Sequence, residues 1–163
     1  VLGVLHIQKR RGRKMGHLPV TIKLVKTHSS AVLPTRGSSG AVGFDLYSVE
    51  PVILGPLQRM LVNTGWKISV PTGYEGQVRP RSGLAYKLGV TVLNSPGTLD
   101  YDYVGPLGVV LINLSNELIS LPAGSRVAQL VIKPVELYVK MTEVSEFTGA
   151  TERGENGFGS TGV

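Results

Sequence analysis

The sequence has no cysteine. That absence excludes a disulfide framework, a zinc–thiolate site, an iron–sulfur cluster and a cysteine nucleophile, and it fits a reducing compartment. Charged residues are sparse at 17% and aromatic residues sparser at 6%, against 42% hydrophobic residues in a chain of 163. This is enough apolar material for one packed domain, so disorder of the whole chain is excluded. No uninterrupted apolar run approaches the roughly 18 residues of a membrane span, and none is followed by a small-residue cleavage site. The expectation is a soluble protein without a membrane partner, placed in the cytoplasm, or in the nucleus, an organelle or an infected host cell according to its source.

Room for long helices is also lacking. Gly (21) and Pro (10) make up about a fifth of the chain, against roughly 12% in average proteins. That much punctuation favours short strands joined by turns.

The net charge of +6 is unevenly placed. Eight Lys or Arg and no acid precede Asp45, whereas nine basic residues face eleven acidic ones from Asp45 onward. Within the front end, Lys9 to Lys14 reads KRRGRK, a run that cannot enter a core and stays solvated. It predicts a flexible arm over residues 1–18, functionally minor or making weak contacts to nucleic acid or another anion. No aromatic residue accompanies it to stack on a base. Met15, just after the run, is a candidate start of translation.

Period-two alternation predicts half-buried strands at Val20 to Leu24 and at Leu137 to Met141. Further strands are expected at Met60 to Asn63, Trp66 to Val70, Gly76 to Arg79, Val90 to Leu93, Gly108 to Leu114 and Arg126 to Ile132. Only Ser82 to Leu88 reads as helix. Eight to ten short strands of this kind predict an all-β sandwich, jelly roll or barrel over residues 19–147. Residues 148–163 are Gly-rich with little to bury and read as a mobile tail.

Four features exceed what such a fold requires. The tail segment RGENGFGSTG, Arg153 to Gly162, has four Gly that let backbone amides close around an anion, with Arg153, Ser160 and Thr161 as donors. Its Phe158 either plugs a groove of the body or stacks on a flat ligand. PRSGLA, Pro80 to Ala85, puts Arg81, Ser82 and Gly83 at a helix start, where free amides meet anions; the plainer reading is a Ser N-cap. NSPGTLDYDYVG, Asn94 to Gly105, holds Asp100 and Asp102, which share a side if the stretch is extended. A carboxylate there can orient a water and a Tyr can cover a sugar, while the plainer reading is a hairpin with Asp-capped turns. Finally, Asp45 lies between apolar residues in GFDL and needs a cation or donor. It can also hold the water shell of Mg2+ when phosphates supply the other ligands. In RVAQLV, Arg126 and Gln129 are candidate phosphate ligands or buried structural polar residues, the structural role being preferred for Arg126.

Taken in order, these segments resemble the five motifs of the trimeric dUTP pyrophosphatase (dUTPase) family, from about Val20 to Gly162. The resemblance implies a jelly-roll-like β subunit, three of which form a homotrimer with active sites between subunits. It also implies hydrolysis of dUTP to dUMP and pyrophosphate with Mg2+, which limits uracil in DNA and supplies dUMP for dTMP synthesis. By the same resemblance Asp100 activates the attacking water and Asp45 holds a water of the Mg2+ shell. Arg81, Ser82 and Gly83 bind phosphates and Gln129 binds phosphate or a water; Asn94 and the backbone of Gly97 and Leu99 bind uracil; Tyr103 lies under the deoxyribose. In the tail Arg153, Ser160 and Thr161 meet the distal phosphate, Gly159 also binds the substrate, and the resemblance resolves Phe158 as the ring over uracil.

The chain departs from the family pattern at Val104 and Pro106, where Arg and a polar residue are common, at Ser125, which replaces an acid, and at Asn156, which replaces Gly. These put an interface polar network in question. Two rival readings accompany the resemblance. One is a dCTP deaminase, including bifunctional members; the other is a nucleotide-binding regulatory module of the same fold.

Overall fold

The computed structural model describes residues 19–149 and 151–156. Eleven strands and one helix follow in the order β1 (Lys23–Lys26), β2 (Thr35–Arg36), β3 (Phe44–Tyr47), β4 (Val52–Leu54), β5 (Arg59–Ser69), β6 (Tyr74–Arg79), α1 (Ser82–Leu88), β7 (Val90–Val92), β8 (Gly97–Leu99), β9 (Gly105–Asn113), β10 (Ile119–Leu121) and β11 (Arg126–Pro134). All pairings are antiparallel. They build a four-stranded sheet β1-β5-β9-β7, a five-stranded sheet β2-β3-β11-β6-β8 and a two-stranded ribbon β10-β4.

The two large sheets enclose one core, because each turns apolar residues inward, in strict alternation on β9 and across a bulge between Arg126 and Ala128 on β11. Leu107, Val109 and Leu111 of β9 are almost completely buried, as are Leu46 of β3 and Val127, Ala128 and Leu130 of β11. Each fully buried Leu or Val contributes about 1.5–3 kcal/mol relative to exposure. The alternation of β9 ends on Asn113, itself wholly buried. Its Nδ2 donates to the carbonyls of Leu54, Gly55 and Glu117, and its Oδ1 accepts from the amide and hydroxyl of Ser115. One amide thus ties the end of β4 to the β9–β10 loop.

The structure corrects several boundaries. The two strands expected at Met60 to Asn63 and Trp66 to Val70 are one strand, β5, with an irregularity between Asn63 and Lys67. Gly65 occupies the break at φ +76°, and a Cβ there would lie 2.6 to 2.9 Å from Ala31, Val49 and His28. Only Gly fits. The first strand begins at Lys23 rather than Val20, although Ile22 and Leu24 still pack on the core. Leu137 to Met141 forms no strand and its side chains are exposed. An alternating pattern specifies which face is apolar; it does not provide a strand to pair with. The arm at residues 1–18, including Lys9 to Lys14, and the tail residues Phe158, Gly159, Ser160 and Thr161 lie outside the described residues. No helix among the described residues is long and apolar enough to cross a membrane.

Candidate functional site

The outer face of the five-stranded sheet carries a polar row. Residues directly opposite in antiparallel strands share a face. Gln129 of β11 pairs with Asp45 of β3 on one side and Arg79 of β6 on the other. The strand geometry therefore aligns Asp45, Gln129 and Arg79 across three adjacent strands.

Asp45 answers its half-buried position with two cations. Its Oδ1 accepts from Arg81 Nε at 3.1 Å and its Oδ2 from Arg126 Nη1 at 3.3 Å. Arg81 also donates through Nη1 to the Arg126 carbonyl at 3.1 Å. Arg126 is not the buried structural residue expected from the sequence, since half of its side chain is exposed. It is a partner of Asp45, a relationship across 81 residues that no local pattern signals.

Ser82 and Gly83 open α1 as expected, but the cap differs from the Ser N-cap reading. Arg81 occupies the N-cap position without a side-chain cap bond, and Ser82 is the first helical residue. The first-turn amides of α1 are accordingly left uncapped by a side chain. No described atom lies within 4 Å of a Cβ built on Gly83, so the space above it is open. Gln129 donates from Nε2 to the Pro80 carbonyl at 2.9 Å, and its Oε1 is packed over Cα of Gly43. Arg79, Ser82 and Gln129 line one surface pocket together with Gln77, Pro80, Ser95 and Pro96. Sequence reasoning passed over Arg79; its signal was alternation with Gln77 and Glu75 along one strand.

A second group gathers on the loop that carries the chain from β8 in the five-stranded sheet to β9 in the four-stranded sheet. Asp100 follows β8, and its carbonyl accepts from the Tyr103 amide at 3.1 Å, closing a turn. Because the chain turns here, the extended alternation that would pair Asp100 with Asp102 does not hold. Tyr103 donates its hydroxyl to the Pro106 carbonyl at 2.8 Å, so a backbone acceptor serves where Pro106 brings no polar side chain. Leu61, Thr98, Leu99, Asp100, Tyr103 and Pro106 line a pocket of about 400 Å³. Asn94 Nδ2 lies above buried Gly97, 3.2 Å from where its Cβ would be.

Asp45 and Asp100 do not meet within one chain, although Ser95 and Pro96, beside Asn94, line the pocket of Arg79, Ser82 and Gln129. Asp45 lies on β3 and Asp100 at the end of β8, with β11 and β6 between. Three strand spacings of roughly 4.8 Å and about four residues of roughly 3.3 Å along β6 separate them by about 20 Å. Arg153 belongs to neither group: its Nε donates to the Asn156 carbonyl at 2.8 Å within the tail's own turn. Ser125 likewise turns inward, donating to the Pro122 carbonyl.

With this geometry in view, the comparisons with known proteins fall into place. The dUTPase family model matches residues 29–162. The chain belongs to the dUTPase family. The deoxyuridine 5'-triphosphate nucleotidohydrolase of Clostridium novyi is 52% identical over 138 residues, covering 85% of this chain and 96% of that protein. The enzyme of the same name from Hydrogenobaculum is 52% identical over 139 residues, covering 85% and 95%. Among solved structures, the dUTPase of Staphylococcus bacteriophage 80alpha with dUPNHPP superposes with a TM-score of 0.79 at 30% identity, covering 88% of this chain and 99% of that one. A mutant dUTPase from phage phi11 of S. aureus, described with the coordination of a structural Mg(II) ion, gives 0.70 at 25% identity, covering 79% and 99%. The mostly β fold with one short helix is the dUTPase fold.

For a metal, the described residues contain no cluster of three or more His, Cys, Asp or Glu. An all-protein cage is therefore not formed by them. Mg2+ often keeps several waters and takes phosphate oxygens, so a single outer carboxylate is enough to fit it. Asp45 qualifies, since each of its oxygens receives only one hydrogen bond and retains lone-pair capacity.

Proposed function

We infer that this chain hydrolyses dUTP to dUMP and pyrophosphate. The observation that carries the reading is 52% identity to a named dUTP nucleotidohydrolase over nearly that enzyme's full length. In this reading Asp100 accepts a proton from water as the water oxygen attacks the α-phosphorus. The bond from that phosphorus to the bridging oxygen breaks, and pyrophosphate leaves. A carboxylate suits the task because it only accepts hydrogen bonds when ionised and is exposed at the lip of its pocket.

Arg81, Ser82, the amide of Gly83 and Gln129 bind the phosphate chain, supported by the open space over Gly83 and the uncapped helix start. Arg81 reaches it already held by Asp45, so less freedom is lost on binding. Asp45 holds waters of the Mg2+ shell. Mg2+, when bound with substrate, neutralises charge on the phosphates and on the departing pyrophosphate. Asn94, Gly97 and Leu99 hold the uracil, Tyr103 underlies the sugar, and Arg153, Phe158, Gly159, Ser160 and Thr161 close over the nucleotide.

The assembly we propose is a homotrimer with sites between copies. The separation of about 20 Å between Asp45 and Asp100 supports it, because a site between copies can bring the Asp45 of one chain and the Asp100 of another to the same nucleotide. The unpaired, exposed Tyr138, Val139, Met141 and Phe147 supply further apolar surface for such contacts. The decisive assay is pyrophosphate release from dUTP, dTTP, dCTP and UTP, each with Mg2+ and with EDTA. Rapid release from dUTP alone, lost in EDTA, is expected; ammonia release from dCTP would overturn the reading in favour of a deaminase.

A further inference from the structure

We propose that Arg79 is a further ligand of the substrate's phosphate chain, held ready by a side-chain ladder on β6. This rests on the dUTP-hydrolase reading and extends it to a residue to which the resemblance assigns no role.

Glu75, Gln77 and Arg79 alternate along β6 and project from one face. Gln77 Nε2 donates to Glu75 Oε1 at 2.6 Å, while Arg79 donates through both Nε, at 3.0 Å, and Nη2 to Gln77 Oε1. The order of the ladder is chemically forced. An ionised carboxylate only accepts and a guanidinium only donates, so the Gln77 amide has one workable orientation. Gln77 thereby fixes the guanidinium plane without neutralising it through direct contact with an acid. Among the described residues, no ion pair joins Arg79 to a carboxylate and no hydrogen bond uses its Nη1.

This sets Arg79 apart from its neighbours. Arg81 and Arg126 share Asp45, so much of their charge is already compensated. Arg79 faces the same side of the sheet as Gln129 and lines the same pocket as Gln129 and Ser82, both proposed to bind phosphate. A half-buried guanidinium with free donors and fixed orientation is suited to phosphate oxygens. A triphosphate is the ligand in the proposed reaction that brings enough negative charge to use it.

The test measures kcat and KM for dUTP, competitive inhibition by deoxyuridine, and native mass for the wild type, Arg79→Gln and Arg79→Lys. Expected for Arg79→Gln is a KM for dUTP raised about tenfold or more, with deoxyuridine inhibition, native mass and melting temperature unchanged. Arg79→Lys, which keeps the charge and loses the fork, should recover part of that loss. An unchanged KM in both variants overturns the proposal. So does a KM rise accompanied by an equal weakening of deoxyuridine, or by a fall in native mass, since either assigns Arg79 a structural role. A wild type that releases no pyrophosphate from dUTP would instead refute the underlying function, a result distinguishable from every outcome with the variants.

Discussion

The ring of Tyr103 folds back over Cα of Gly105, so that a methyl group added at Gly105 would lie 2.6 Å from both Cζ and Oη of the tyrosine. The ring is pinned there by its hydroxyl bond to Pro106. Gly105→Ala must therefore push the ring into the pocket it shares with Asp100, where we place the sugar. The expected outcome is a fall in kcat/KM for dUTP of about tenfold to a hundredfold, since small misplacements in a site can cost that much. Discrimination against UTP should narrow at the same time. Steady-state kinetics with both nucleotides check this, with Tyr103→Phe as the variant that removes only the tether.

Gly43 plays a comparable part for Gln129. A Cβ on Gly43 would overlap Gln129 Oε1 and approach Cδ at 3.1 Å and Cβ at 3.2 Å. Gly43→Ala should displace the amide from the Pro80 carbonyl and disorder the middle of the polar row. A KM for dUTP raised about tenfold is expected, because a bond to a charged group is worth about 1.5–3 kcal/mol. Stability should change little, as the neighbour that gives way is the end of a flexible side chain. KM and thermal unfolding measured together distinguish this from general misfolding.

The separation of Asp100 from Asp45 makes a prediction about mixtures. Asp100→Asn should lower kcat by about a hundredfold to ten-thousandfold while dUTP-analogue binding persists. Arg81→Ala should be inactive instead through the loss of a ligand to the phosphate chain. Unfolded together and refolded as mixed assemblies, the two inactive chains should recover activity about tenfold or more above either alone, because some sites then join an intact β8–β9 loop to an intact phosphate-binding group. No recovery in assemblies shown to be mixed would mean that both groups act within one chain.

Asn113 tests the fold rather than the site. Asn113→Ala would leave the buried carbonyls of Leu54 and Gly55 without their side-chain donor and remove the acceptor of Ser115. A loss of about 2–4 kcal/mol is expected from denaturant titration at fixed protein concentration. Asn113→Asp should not rescue it, since an ionised carboxylate cannot donate.

The helix at Ser82 to Leu88 was read from sequence, although its N-cap is Arg81 rather than Ser82; Gly89 closes it with a left-handed cap at φ 63°. Long strands such as β9 and β11 were readable from their β-branched and aliphatic runs bounded by turn residues. By contrast β2, β8 and β10 have two or three residues each, too few for a period, and exist through their partners. The candidate site divided in the same way. Asp45, Arg81 and Asp100 could be named from motifs, whereas the double clasp of Asp45 by Arg81 and Arg126 depends on register between distant strands. The distance between the two groups was illegible for the same reason, since motif order says nothing of how many strands lie between.

That distance has a cellular corollary. In the proposed assembly a newly made protomer carries no complete site by itself, and it becomes competent only when copies are plentiful enough to find one another. Scarcity would then silence the protein with no inhibitor present, and a defective copy made alongside sound ones would poison sites it does not itself complete.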